Sequence, residues 1–275
     1  MRNRPYILLA LACLALWGGL SCAGDDPVPV TSTEPLLHDA QFYPTTAGTF
    51  WRYRVDTTGA DGRTVRDVER RTVRIGRTVT IDSTVYTVQE TEIVAGVDSR
   101  YDTVYIRKDA AGVWLSSPSL RQLSVFAGIP GFPGFPKEFL VMPADPGTQA
   151  NWDIIRFDFT PIPFVQIYYY VTAAYLGRET IQTDSHTYRE CARIRISLNM
   201  RFPNPQNPQD ILNPIIVRDD AEFWLARPLG LVVGDGAESI FTMLSGRIPF
   251  SLVRKRMHME VLGMDIVQPP DPCGT

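Results

Sequence analysis

Apolar and polar side chains alternate with a period of two along much of this chain. In Trp51-Arg52-Tyr53-Arg54-Val55-Asp56 the residues Trp51, Tyr53 and Val55 share one face, while Arg52, Arg54 and Asp56 share the other. Successive side chains of an extended chain point to opposite faces, so this pattern predicts a half-buried strand. The alternation returns where Ala192, Ile194, Ile196 and Leu198 oppose Arg193, Arg195 and Ser197, and where Met257, Met259 and Val261 oppose Arg256, His258 and Glu260. Thr84 to Val94, Arg100 to Lys108, Val113 to Ser116, Trp152 to Phe159 and Phe164 to Tyr175 are rich in Val, Ile, Thr, Tyr and Phe and predict further strands. Turn residues separate them at Thr58-Gly59-Ala60-Asp61-Gly62, Asp109-Ala110-Ala111-Gly112 and Gly234-Asp235-Gly236. No long window carries a helical stripe, and Leu120 to Phe126 is the best short candidate. The expected fold is all-β with little helix: an antiparallel meander of roughly ten strands forming a curved sheet or half-barrel, with a β-sandwich as the alternative.

Two segments break the pattern. Gly128 to Pro136 repeats a Gly-apolar-Pro triplet, in which proline withholds backbone donors, so a regular strand is excluded and an apolar loop is expected. Either this loop offers Phe132 and Phe135 to a ligand or partner, or the two rings pack back on the sheet. Pro203 to Gln209 is polar and proline-rich and reads as a hairpin insertion.

The amino end has a different character. Arg2 and Arg4 precede an apolar run from Tyr6 to Leu16, followed by Gly19-Leu20-Ser21-Cys22 and the polar Ala23-Gly24-Asp25-Asp26. The run matches the core of an export signal and falls short of the roughly twenty residues that span a bilayer. Cys22 resembles the acylated cysteine of bacterial lipoproteins, although Gly19 stands where that motif prefers leucine; plain cleavage after Ala23 is the other reading. Ala23 after the cysteine resembles outer-membrane sorting, and Asp25-Asp26 resembles the acidic tether of some surface-exported lipoproteins. The expected organisation is a signal over 1–21, a lipid-proximal tether over 22–40, one β domain over 41–266 and a tail over 267–275.

Formal charge is −3, and losing Arg2 and Arg4 with the signal makes it two more negative, which gives no attraction for nucleic acid. Aromatic residues at 11% and charged residues at 21% argue against general disorder. Once Cys13 leaves with the signal and Cys22 carries lipid, Cys191 and Cys273 remain as the pair an oxidising compartment would bridge. Such a bridge would contribute on the order of 4 kcal/mol; two unpaired thiols is the alternative.

Catalytic chemistry has little to build on. The three histidines are His38 in the tether, His186 in a turn and His258 on a polar strand face, and neither a Gly-x-Ser-x-Gly elbow nor a His-Glu-x-x-His helix is present. Asp184-Ser185-His186 collects triad residue types, but a triad is assembled from distant segments, so a turn is expected. Asp219, Asp220 and Glu222 are the densest acidic group, yet adjacent aspartates on a strand diverge, and no metal site or cofactor is expected. The arginines between Arg63 and Arg77 are interleaved with Asp67 and Glu69 and read as a solvated hairpin face. Tyr168 to Tyr170 reads as a central strand or, alternatively, a sugar-binding surface.

Phe42-Tyr43-Pro44, Gly48 and Trp51-x-Tyr53, with Tyr175 to Thr180, Thr187 to Cys191 and Phe223 to Val232, resemble a broad group of bacterial lipoproteins. His186 departs from that pattern, standing where a glycine commonly opens the turn. The resemblance implies a half-barrel like that of lipoprotein carriers, whose concave face can hold acyl chains, and it carries no shared activity. The expectation is a non-enzymatic lipoprotein of the cell envelope. It would be anchored through Cys22, in the outer membrane on its periplasmic or surface face, and would bind an apolar ligand or an envelope protein. The alternatives are a structural or adhesive surface module without a pocket, and a glycan-binding or glycan-cleaving protein. The glycan reading requires exposed rings among Trp51, Trp114, Trp152 and Trp224.

Overall fold

The alternating segments become the strands of one antiparallel sheet. The computed structural model describes residues 42–118, 136–144, 151–162, 165–202, 210, 212–247 and 255–267, all within the second of the chain's two units, Pro35–Thr275. Its elements are β1 (Phe50–Thr58), β2 (Thr64–Ile81), β3 (Thr84–Ala95), β4 (Asp98–Asp109), β5 (Gly112–Ser116), β6 (Phe139–Pro143), β7 (Asn151–Ile162), β8 (Val165–Gln182), β9 (Thr187–Phe202), β10 (Ile215–Ala226), β11 (Gly230–Ala237), the helix α1 (Glu238–Leu244) and β12 (Arg256–Asp265). The 12 strands lie in the order β6-β5-β4-β3-β2-β1-β12-β11-β10-β9-β8-β7, nearly closed into a barrel. The first and last strands pair directly, from Phe50↔Asp265 to Thr58↔Arg256. The edge strands β6 and β7, consecutive in the chain, approach each other without pairing.

Period-two sorting puts the apolar set inside. Trp51, Tyr53 and Val55 of β1, Ile194 to Met200 of β9 at alternate positions, and Met257, Met259 and Val261 of β12 are all buried. Tyr169 of β8 stacks on Phe157 at 5.6 Å between ring centres, and Phe202 meets both rings edge-on. These three aromatics fill the side of the barrel built by β7, β8 and β9. Tyr168 and Tyr170 face outward, stacked at 5.1 Å, with the Arg156 guanidinium over Tyr170.

Four expectations change. Among the described residues the strands number twelve rather than roughly ten and form a single sheet, so the sandwich alternative falls away. Arg63 to Arg77 lies mostly within β2 of the β1–β2 hairpin with Arg63, Arg66, Arg70, Arg74 and Arg77 exposed as expected, but Arg71 departs from that solvated face and turns inward at 7% exposure. Gly234-Asp235-Gly236 is not a turn but the interior of β11. A Cβ on Gly234 would stand 2.8 Å from the Phe241 ring, and one on Gly236 would stand 2.3 Å from Ala221 Cα, so these glycines make room for α1 and for β10. The helix itself was not expected: Ile240, Phe241 and Met243 are buried, and Phe241 packs on Phe223 at 5.2 Å. It ends where Gly246, at φ +79°, donates its N–H to Met243 O at 2.9 Å and Arg247 N–H reaches Thr242 O at 3.1 Å. The candidate helix Leu120 to Phe126, the loop through Phe132 and Phe135 and the insertion Pro203 to Gln209 lie outside the described residues.

Candidate functional site

One end of the barrel is closed by the chain just before β1. Phe42 is fully buried, with the guanidinium groups of Arg178 and Arg227 at 5.6 and 5.7 Å from its ring centre. Lys108 Nζ donates to the Tyr43 carbonyl and lies 5.9 Å from the centre of that ring. Trp51 Nε1 donates to Leu229 O at 2.6 Å, and the Tyr53 hydroxyl donates to Leu231 O at 2.9 Å. Gly230, at φ +82°, is where these groups converge, since a Cβ there would come 3.1 Å from Pro44 and 3.3 Å from the Trp51 ring. Burial pushes the Tyr43 hydroxyl up to about 12 and raises that of Tyr53 well above its ordinary value, so both floor phenols stay neutral. The motif Phe-Tyr-Pro, Gly, Trp-x-Tyr is thus the floor of the barrel.

α1 lies across the interior above this floor. Its C-terminal turn is fixed by Ser117 Oγ donating to Gly246 O at 2.7 Å and by an ion pair between Arg247 and the buried Asp102. Between floor and helix remains a cavity of about 180 Å³. Its apolar walls come from Ile194, Ile196, Leu225, Leu231 and Met259, with Phe241 and Leu244 from the helix. β2 and β3 supply polar groups: Arg71, Gln89 and Thr91. Among the described lining residues Arg71 is the one charged side chain.

Outside the barrel, many of the charges are paired with one another. Glu222 binds Arg193 at 2.6 Å and Arg195 at 2.7 Å, while Asp219 accepts from Ser239 Oγ at 2.5 Å, so the acidic group diverges. No cluster of three metal-ligating side chains occurs among the described residues. Asp184-Ser185-His186 is the β8–β9 turn; His186 Nδ1 meets Ser185 Oγ at 2.8 Å, but the Asp184 carboxylate goes to Arg54 at 2.8 Å, so no triad forms. Trp51, Trp152 and Trp224 are buried. Trp114 is half-buried, donates to Asp109 Oδ1 at 3.0 Å and is stacked by Arg107. That removes the exposed tryptophan surface a glycan reader requires. Asp109, despite burial that pushes its carboxyl up, is held down to about 2 by hydrogen bonds from Trp114, Arg107 and the Ala111 N–H.

Cys191 is fully buried, its Sγ 3.6 Å from Tyr188 O, and burial pushes its thiol up to about 11. Cys22, Phe132, Phe135 and Cys273 lie outside the described residues. The polar wall around Arg71 and the helix over the cavity were not found from sequence. Arg71 sits in a run of charges that alternates no more regularly on its inner face than on its outer one.

No family model matches the chain, and no curated protein matches it. Among solved structures it is similar to a candidate exported protein with a YmcC-like fold from Bacteroides fragilis, with 9% identity, TM-score 0.38, and 82% of this chain and 99% of that one covered. A candidate lipoprotein from Parabacteroides distasonis shows 14% identity and TM-score 0.33, over 82% of this chain and 98% of that one. A LolA superfamily protein from Nitrosomonas europaea shows 13% identity and TM-score 0.25, over 85% and 91%. At TM-scores this low these likenesses carry no conclusion about function.

Proposed function

We propose that this chain is an exported, non-enzymatic protein of the bacterial envelope, anchored by lipid on Cys22, that holds an apolar ligand inside its barrel. The supporting observation is the cavity left between the aromatic floor and α1, walled largely by aliphatic and aromatic side chains. Each methylene transferred from water into such a space contributes about 0.8 kcal/mol, and a short acyl chain is enough for useful affinity. The Cys22 anchor rests on the leader pattern, and its acyl chains would make attachment effectively permanent.

Native mass spectrometry of the protein purified from its own membrane tests both parts. The expected spectrum shows a chain beginning at an acylated Cys22 with a non-covalent apolar molecule that dissociates on activation. Ile196→Phe, which projects a larger side chain into the cavity, should lower the occupied fraction several-fold. An intact leader would overturn the anchor. A ligand-free spectrum together with no uptake of an apolar fluorescent probe would overturn the binding role.

A further inference from the structure

The cavity is apolar on most sides but not neutral. Arg71 enters it from β2 at 7% exposure, between Tyr53 of β1 and Ile93 of β3 in the ladder. Its Nε donates to Glu69, and Nη2 lies 3.8 Å from Met257 Sδ, a weak acceptor. A guanidinium carries five N–H donors, so most of its capacity finds no oxygen among the described residues. Glu69 is itself shared, with Arg100 Nη2 at 3.8 Å, which sets one carboxylate between two guanidinium groups. Asp102, buried on β4 and outside the cavity lining, pairs through Oδ1 with Arg247, while its Oδ2 meets no donor among the described residues. Arg100 is half exposed, so the cation that faces the cavity is Arg71, the one charged side chain among the described lining residues, and its terminal amino groups keep donors that no described oxygen takes up. A charge held away from water in apolar surroundings is stabilised by an opposite charge with matching acceptors.

We propose that the cavity takes a single-chain amphiphile with an anionic head, carboxylate or phosphate, whose oxygens accept from Arg71 while its tail lies along Ile194, Ile196 and Leu225. Gln89 and Thr91 flank Arg71 as neutral polar partners for the head. This inference rests on the ligand-binding role above and adds to it the polarity of the ligand. A purely apolar cavity would disfavour a charged head of either sign relative to a neutral one, whereas this one should favour the anion.

Isothermal titration of the full chain carrying Cys22→Ala, below micellar concentrations, compares four probes of equal tail: dodecanoate, dodecyl phosphate, dodecanol and dodecylamine. The carboxylate or the phosphate should bind at least about tenfold tighter than the alcohol, and the amine weakest, as a charge-assisted hydrogen bond in a buried site dictates. The tighter of the two anions identifies a fatty-acid-like or a phospholipid-like head. In the charge-free pair Arg71→Gln/Glu69→Gln, with the strand signal in circular dichroism retained, the ratio of anion to alcohol affinity should fall towards one. Equal binding of all four heads, or preference for the amine, overturns the headgroup inference and leaves the ligand-binding role standing. Binding of none of the four overturns both. A ratio unchanged in the double variant removes Arg71 as its source.

Discussion

His258 stands on the outer face of β12 with Asp235 at 3.4 Å and the buried Glu260 at 3.9 Å. The hydrogen bond to Asp235, opposed by partial burial and helped by the charges of Asp235, Glu260 and Asp56, raises its pKa above the ordinary 6.5. The fold thus binds the proton more tightly than the unfolded chain does. Its stabilising contribution is complete below about pH 6.5 and disappears as pH rises through the raised value. Thermal melts of wild type and His258→Gln should therefore differ at mildly acid pH and converge in the alkaline range, with an NMR midpoint for His258 above 6.5. Cys191 makes a second prediction at this scale. Buried, with its thiol pushed up to about 11, it should resist alkylation in the reduced native protein and react only on unfolding. Trp51→Phe keeps the ring but strips the donor from Leu229 O, and should cost about 1–3 kcal/mol in denaturant unfolding for the carbonyl left unpaired.

At the level of elements, legibility followed the side chains that speak for themselves. β1, β9 and β12 were readable because inner and outer residues differ in kind. β2 was not, because its inner face carries Glu69 and Arg71 beside Val73 and Ile75, and the ion pair that makes Arg71 tolerable inside is formed only in three dimensions. β11 was hidden by the glycines that let α1 approach, since glycine in a single sequence reads as a turn. α1 itself spans two turns, too short for a periodicity of 3.6 to declare itself. The floor was visible as a motif but not as a floor, because its partners Leu229 and Leu231 lie 178 positions away. Gly234→Ala tests the fit between β11 and α1. The added methyl meets Phe241 at 2.8 Å and Phe223 at 3.2 Å, so the helix must shift, at a cost of about 1–3 kcal/mol and with altered near-ultraviolet circular dichroism. Unchanged stability and spectrum would mean that α1 packs less tightly than described.

At the scale of the molecule the described strands leave one open seam, between β6 and β7, and each of the other ten is paired on both sides. Hydrogen exchange should be fastest in these two edge strands and slowest in β1, β12 and β9, each flanked by partners and carrying much of the core. The pairing of β1 with β12 sets residues about two hundred positions apart side by side, as Arg54 is with Glu260. Because chain order and sheet order differ only at that junction, covalently joining the two ends and cutting between β6 and β7 would yield a circular permutant in which every strand neighbours its successor. With the join made by a flexible linker outside Phe42 and Val267, so that the floor segment is kept, such a rearranged polypeptide would retain the barrel's ladder while bringing β1 and β12 next to each other in the chain, and stopped-flow refolding should be faster than for the natural connectivity.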